Sequence, residues 1–183
     1  MTQISSTTLF NFTDKLDYLI DNLKNGFYAQ TTYEKLPLKN NGYTVPMVCF
    51  CDIPLGMIKN HLDWYGKFGI GIKRSYARSH NVNPVWYVHS DNSFVKRLVK
   101  SKDISDHDKK HLLPYLKQFL GYQKFKGEDK RKKFYDEREW RYVPSDVTVE
   151  LHLGKRKSDV EKSLNIDKIR MPLDLSLVRR ICR

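Results

Sequence analysis

Short strand-type runs separated by irregular connections dominate the sequence. Leu9–Phe12, Thr44–Cys51 and Glu139–Val143 are rich in apolar, aromatic and β-branched residues. Between the first two, apolar residues at i, i+3, i+4 and i+7 over positions 16–23 predict an amphipathic helix that ends before Gly26. Similar runs predict further strands at Phe68–Ile72, Pro84–Val88 and Val147–Leu153. This mixed order predicts an α+β fold, since a regular βαβ winding would alternate strands with helices.

Size and composition favour one folded domain over residues 1–183. The chain is 40% hydrophobic and 13% aromatic, which is enough for a packed core and unlike a disordered segment. Its apolar runs are too short to span a membrane, and its first residues lack the pattern of a signal peptide. We therefore expect a cytoplasmic protein with no membrane partner.

Positive charge is concentrated in the second half of the chain. The net charge is +12, and a basic loop is predicted at about 122–135, after helical patterns at 92–101 and 105–121. The basic residues of this loop are Lys124, Lys126, Lys130, Arg131, Lys132 and Lys133. Such a segment can bind phosphates, so we predict nucleic acid, with RNA favoured, as a partner. The alternative is a solvated loop that only keeps the protein soluble.

The common catalytic motifs are absent from the sequence. It contains no Walker A, Rossmann or Gly-x-Ser-x-Gly pattern. His107 and His111 share a helix face but lack a third ligand, and we predict no metal site. Cys49 and Cys51 are interpreted as buried thiols. A Gly-containing strand at 68–72 predicts close approach of another group to its backbone, and a short helix is predicted at 157–164.

The most informative pattern is Glu137-x-Glu139 at the start of an aromatic strand. Residues at i and i+2 of a strand point to the same side, so two like charges lie side by side. Such a pair can grip two hydroxyls or stabilise a developing cation. In the structural alternative, Arg138, Arg141 or the basic residues 130–133 neutralise both carboxylates.

Two resemblances follow from these motifs. Glu-x-Glu before an apolar strand and Pro144, together with Leu9–Thr13 and its following helix, resembles the ADP-ribosyltransferase superfamily. More narrowly, Phe50–Leu55, His61, Tyr65-Gly66 and Asp136–Tyr142 are similar to the AbiGi family of bacterial phage-resistance proteins. The AbiGi-like resemblance covers most of residues 8–145. It implies a place in an abortive-infection or toxin–antitoxin locus.

The transferase resemblance implies split mixed or antiparallel sheets around an NAD cleft, with NAD as substrate and no metal. Glu139 would be catalytic, holding a ribose hydroxyl and stabilising an oxocarbenium-like transition state. Glu137 would orient the acceptor. The residues expected to bind the nucleotide are Asn11, Thr13, Tyr28, Phe50 and Tyr65. Position 11 departs from the family pattern, where His is usual.

These resemblances leave two functions open. The first is a toxin that transfers ADP-ribose from NAD to a nucleic acid, RNA being favoured by the charge, and that is neutralised by a cognate antitoxin. The second is a non-catalytic basic antitoxin or nucleic-acid-binding partner, in which Glu137 and Glu139 form structural ion pairs. A nuclease finds no support, because no cluster of metal-binding carboxylates occurs in the sequence.

Overall fold

The computed structural model describes residues 7–36, 38, 41–89, 92–145, 149–153 and 169–182. The helices are α1 (Leu16–Asn25), α2 (Lys59–Tyr65), α3 (Arg74–Ser79), α4 (Ser93–Lys100) and α5 (Asp106–Leu112). The strands are β1 (Thr8–Thr13), β2 (Phe27–Tyr28), β3 (Gln30–Lys35), β4 (Asn41–Cys51), β5 (Phe68–Lys73), β6 (Asn83–Pro84), β7 (Trp86–Val88), β8 (Leu116–Gln118), β9 (Leu120–Phe125), β10 (Glu128–Lys133), β11 (Glu139–Tyr142), β12 (Glu150–Leu153), β13 (Arg170–Met171) and β14 (Val178–Cys182). This confirms the predicted α+β class.

The main sheet is antiparallel and opens in its middle. Its strand order is β14-β5-β1-β4-β11-β6, and β3 and β12 also pair with β4. β1 and β5 pair along their whole length, whereas β1 meets β4 at one register pair, Phe10 opposite Cys51. The two strands therefore diverge beyond this pair, and a cleft opens between the halves of the sheet. A parallel pair, β7 with β8, lies outside the main sheet.

The glycines of β5 allow its tight packing against β1. Gly69 lies against the ring of Phe12, and Gly71 lies against the ring of Phe10 and the Thr8 methyl group. An added Cβ at either glycine would collide with those side chains. The close approach predicted for this strand is confirmed.

Pro46 lies inside β4, at a stretch where the described strands pair with it on one side and leave the other side open, as at a sheet edge. β3 pairs with β4 on one side, with Thr31 opposite Pro46. On the other side, β12 pairs with β4 up to Thr44 and β11 begins at Val48. Within the described ranges, no strand pairs with residues 45–47 on that side, and a missing backbone N–H is tolerated at such a gap.

Two large apolar cores support the two halves of the sheet, and among the described residues a third, small cluster contains Phe10, Cys51 and Ile53. The first packs α1 and α3 against β1, β4 and β5, and it includes Leu9, Leu19, Phe27, Phe50, Ile70, Ile72, Tyr76 and Met171. The second packs α4 and the segment around Leu113 against β4, and it includes Leu36, Tyr43, Val45, Met47, Val95, Leu98, Leu113 and Leu116. The cleft between the two halves thus has a packed core on each side.

The second half of the chain contains more strand than predicted. The helix predicted over 105–121 ends at Leu112, because Pro114 cannot continue it, and β8 and β9 follow. The predicted basic loop is a two-stranded ribbon, β9 with β10. The helix predicted at 157–164 lies outside the described residues. None of the described helices combines the length and apolar character needed to cross a membrane.

Candidate functional site

The cleft between β1 and β4 is the main candidate site. Its volume is about 1040 Å³. Strands β1, β3 and β4 contribute residues to its lining, and so does the ribbon β9–β10. Glu137 and Glu139 lie among the residues that line it, and so does Lys117. The Glu-x-Glu pair of the sequence therefore lies in the cleft, at the place where β1 and β4 diverge.

A tight turn places both carboxylates at the start of β11. Residues Phe134–Glu137 form a 3₁₀ turn, Arg138 follows in the left-handed conformation (φ 45°), and β11 begins at Glu139. Both glutamates contact the same lysine, Lys117 of β8, as expected for two side chains on one side. The predicted juxtaposition of Glu137 and Glu139 is confirmed.

Both carboxylate oxygens of Glu139 are held by buried cations. Arg141 donates from Nε to Oε1 at 2.6 Å, and the Lys117 ammonium contacts Oε2. Glu139 is 5% exposed and Arg141 is fully buried. Arg141 also binds Glu34 at 3.0 Å and donates to the Tyr43 hydroxyl at 2.8 Å. This contact confirms Arg141 as one of the cations that neutralise the pair in the structural alternative.

Glu137 has a different set of partners. Lys117 lies 2.9 Å from Oε2, Lys132 lies 2.6 Å from Oε1, and the Tyr65 hydroxyl donates to Oε1 as well. Lys132 also lies over the rings of Trp64 and Tyr65, at 4.1 and 4.3 Å from the centroids. Glu137 thus anchors the base of the ribbon to α2.

The electrostatics keep these groups ionised despite their burial. Burial opposes charge on Glu139, but Arg141 and Lys117 hold its pKa well below the usual range. Burial opposes charge on Glu137 as well, but Lys117 and Lys132 together lower its pKa despite the neighbouring charge of Glu139. Burial opposes charge on Lys117, but Glu139 and Glu137 raise its pKa.

These charged side chains form one connected set of three carboxylates and three cations. We call it the ion network: Glu34, Glu137, Glu139, Lys117, Lys132 and Arg141. Its formal charges cancel.

The residues expected to bind a nucleotide divide into three groups. Asn11, Tyr28 and Tyr65 line the cleft. Phe50 also borders it, but its ring packs at 5.1 Å on Phe27 and is 2% exposed, so the expected aromatic wall there is not formed. Thr13 lies at the end of β1 and is not part of the cleft lining, although its hydroxyl accepts a long hydrogen bond from the backbone N–H of Lys15.

Asn11 has a structural role at the point where the sheet opens. Its side-chain Nδ2 donates to the backbone oxygen of Cys49 at 2.9 Å. The bond crosses from β1 to β4 just past the single Phe10–Cys51 pair, where strand pairing has stopped. The Cys49 side chain is exposed, contrary to the expected burial, whereas Cys51 is buried as predicted.

The six basic residues of the predicted loop do not share one environment. Lys132 belongs to the ion network, and its side chain is 9% exposed. The other five, Lys124, Lys126, Lys130, Arg131 and Lys133, are exposed on the ribbon.

Lys117 joins the two glutamates, and it is not among the residues that the sequence predicts for the site. It lies 20 and 22 residues before them, inside a segment interpreted as helix. The only signal was a lysine among the apolar residues Leu113, Leu116 and Phe119. In the part of the chain that the structure describes, no three His, Cys, Asp or Glu side chains are grouped to hold a metal ion.

Comparison with known proteins identifies the family. The family model described as "Putative abortive phage resistance protein AbiGi, antitoxin" matches residues 17–172. The chain belongs to the AbiGi family. The abortive phage resistance protein AbiGi of Lactococcus lactis subsp. cremoris is 30% identical over 161 residues, which cover 73% of this chain and 64% of that protein. No solved structure matches the chain.

Membership of the AbiGi family confirms the narrower of the two resemblances and the link to phage resistance. The chain spans less than two thirds of the length of the curated relative. The family description names an antitoxin, which agrees better with the non-catalytic alternative than with a toxin.

Proposed function

We propose that this chain is the antitoxin of a phage-defence toxin–antitoxin pair and that it neutralises its cognate toxin by binding. The family description supports the antitoxin role. The observation that carries the non-catalytic part is the environment of Glu139, whose two carboxylate oxygens are held by Arg141 and Lys117.

The charge of the ion network argues against catalysis by Glu139. A carboxylate that assists glycosidic bond cleavage must face the sugar carbon on which positive charge develops. Here two cations lie on that carboxylate, so the base of the cleft offers little net negative charge to a developing cation. Ion pairs of this kind are instead costly to break once buried, which suits a structural role.

The antitoxin proposal is tested by measuring the growth of cells that express this chain alone or together with its partner. Expression of this chain alone should leave growth unchanged, and co-expression with the protein encoded beside it in the same locus should relieve the arrest caused by that partner. The two proteins should also co-purify. Growth arrest by this chain alone would overturn the proposal, as would failure to relieve the partner's toxicity at equal expression.

A second candidate is an NAD-dependent ADP-ribosyltransferase acting on nucleic acid, and the cleft favours it. A volume of about 1040 Å³ suits a dinucleotide-sized ligand. Asn11 and Tyr28 would hold the nucleotide. For Glu139 to bind the ribose, Lys117 would have to release the carboxylate oxygen that it contacts. This reaction would use NAD as the source of ADP-ribose, while Glu139 would bind the ribose hydroxyl.

Labelled NAD distinguishes the two candidates. Under the antitoxin proposal, the purified chain transfers no label to RNA, DNA or lysate proteins. Transfer that is lost in Glu139→Gln but kept in Glu128→Gln, an exposed control on the ribbon, would establish the transferase instead. Circular dichroism of both variants separates a lost reaction from a lost fold.

A further inference from the structure

The ribbon β9–β10 has the form of a built contact surface. Lys126 and Gly127 join its strands, and both have positive φ (51° and 89°), as in the two-residue turns that match the twist of a hairpin. Phe125 packs on Trp64 of α2 at 4.6 Å, and Lys132 inserts between α2 and Glu137. One face of the ribbon is thus fixed to the body of the protein.

The opposite face presents an aromatic ring beside cations. Tyr122 is 73% exposed, and its cross-strand partner is Arg131. Residues paired in this way have side chains on the same face of the ribbon. Lys124 and Lys133 lie on that face two residues to either side of the pair, and successive same-face positions are about 7 Å apart. A ring and three cations therefore share one exposed surface, with Asp129 opposite Lys124 as the acidic residue of that face.

Most cations of the ribbon are available to a ligand. Lys124, Lys126, Lys130 and Arg131 form no ion pair with another residue in the described ranges, and Lys133 pairs with Asp136 in solvent. The acidic residues of the ribbon, Glu128 and Asp129, lie next to its turn.

We propose that this exposed face binds single-stranded nucleic acid, with Tyr122 stacking on a base and Arg131 and Lys124 contacting phosphates. Unpaired bases have free π-faces, and aromatic side chains beside cations are the usual means of binding them. A duplex hides its bases in the stack and gives the Tyr122 ring no partner. The proposal is independent of whether the chain neutralises a toxin or transfers ADP-ribose.

The position of the ribbon relates this surface to the cleft. Tyr122, Lys124 and Asp129 also line the cleft wall. A strand bound along the exposed face therefore passes the mouth of the cleft. Under either proposed function, the bound strand and any ligand of the cleft lie next to each other.

Fluorescence anisotropy of the full chain with labelled oligo(U), oligo(dT) and a duplex DNA of equal length tests the proposal. We expect both single strands to bind more tightly than the duplex, and Tyr122→Ala to weaken them about tenfold, the effect of one lost stacking contact. Tighter binding of oligo(U) would assign RNA, and equal binding would assign recognition of features that RNA and DNA share.

Salt dependence separates the phosphate contacts from stacking. The variant Lys124→Gln/Arg131→Gln/Lys133→Gln, whose three cations lie on the proposed face, should reduce the slope of log affinity against log salt by about 2. The control Lys24→Gln/Lys100→Gln/Lys110→Gln removes the same charge from exposed sites on α1, α4 and α5 and should leave most of that slope. Equal effects of the two triple variants, an unchanged Tyr122→Ala or equal binding of the duplex would overturn the proposal. Absence of oligonucleotide binding would also overturn the proposal, and an acidic protein would then be the ligand expected for the ribbon.

Discussion

Two charged regions adjoin each other in the chain, yet they use their charges in opposite ways. On the ribbon β9–β10, four cations face solvent without an ion pair to another described residue. In the ion network, which includes Lys132 of the same ribbon, every charge is balanced by a buried partner. Charge density in a sequence therefore indicates a binding surface only where the fold leaves the charges unbalanced.

The two regions also differ in what their charges do for stability. Removing one partner of a buried ion pair leaves the other charge without compensation in a poorly solvated place. Removing an exposed lysine leaves water to solvate whatever remains. The comparison can be tested by making the same substitution at a lysine in each region and measuring the free energy of unfolding.

The largest effect is expected from Lys117→Met. Methionine keeps much of the side-chain volume but leaves Glu137 and Glu139 side by side without their shared cation. We expect the free energy of unfolding to fall by about 3–5 kcal/mol, measured by urea denaturation. Lys130→Met, the matched change on the ribbon, should stay within about 0.5 kcal/mol. Similar losses in both variants would contradict the distinction between the two regions.

A smaller loss of unfolding free energy is expected as the pH falls, and the titration of His61 sets the pH at which this loss begins. His61 lies beside Tyr65, with ring centroids 4.5 Å apart, and burial lowers its pKa to about 4. The folded state thus favours neutral His61, so its contribution is complete above the ordinary pKa of about 6.5 and is lost as the pH falls towards 4. We expect a loss of roughly 2 kcal/mol over this window, measured by urea denaturation at a series of pH values.

His61→Gln should reduce the dependence of the unfolding free energy on pH between pH 6.5 and about 4.5. Glu137 and Glu139 then act at lower pH. Because their pKa values are lowered by folding, their contribution is present above their ordinary pKa and is lost only as the pH falls below about 4.5. A His61→Gln chain with the slope of the unmodified protein would place the responsible group elsewhere.

Local patterns in the sequence were sufficient where the structure is local. The strand at Glu139–Tyr142 follows from its aromatic run, whereas the shared side of Glu137 and Glu139 is produced by the 3₁₀ turn and the left-handed Arg138. Alternation could not supply Lys117, which comes from another strand and joins the pair through the fold. The ribbon was missed because charged residues hide a strand pattern, although Lys126-Gly127 carries the turn signal. The exposed side chain of Cys49 depends on where the sheet opens, which no local pattern contains.

The smallest effect concerns the turn that shapes the ribbon. Gly127 has φ 89° and open space around its Cα, so alanine there meets no neighbour and suffers only from the left-handed conformation. We expect Gly127→Ala to cost about 1 kcal/mol in the unfolding free energy. Gly56→Ala is the control, since that position also has open space but no positive φ, and it should be nearly neutral. If the ribbon is formed independently of its ligand, the Gly127→Ala loss will be the same with and without bound oligonucleotide. A loss that appears only in the oligonucleotide-bound state would show that the turn is ordered by binding, and the ribbon would then differ from the ion network in rigidity as well as in charge.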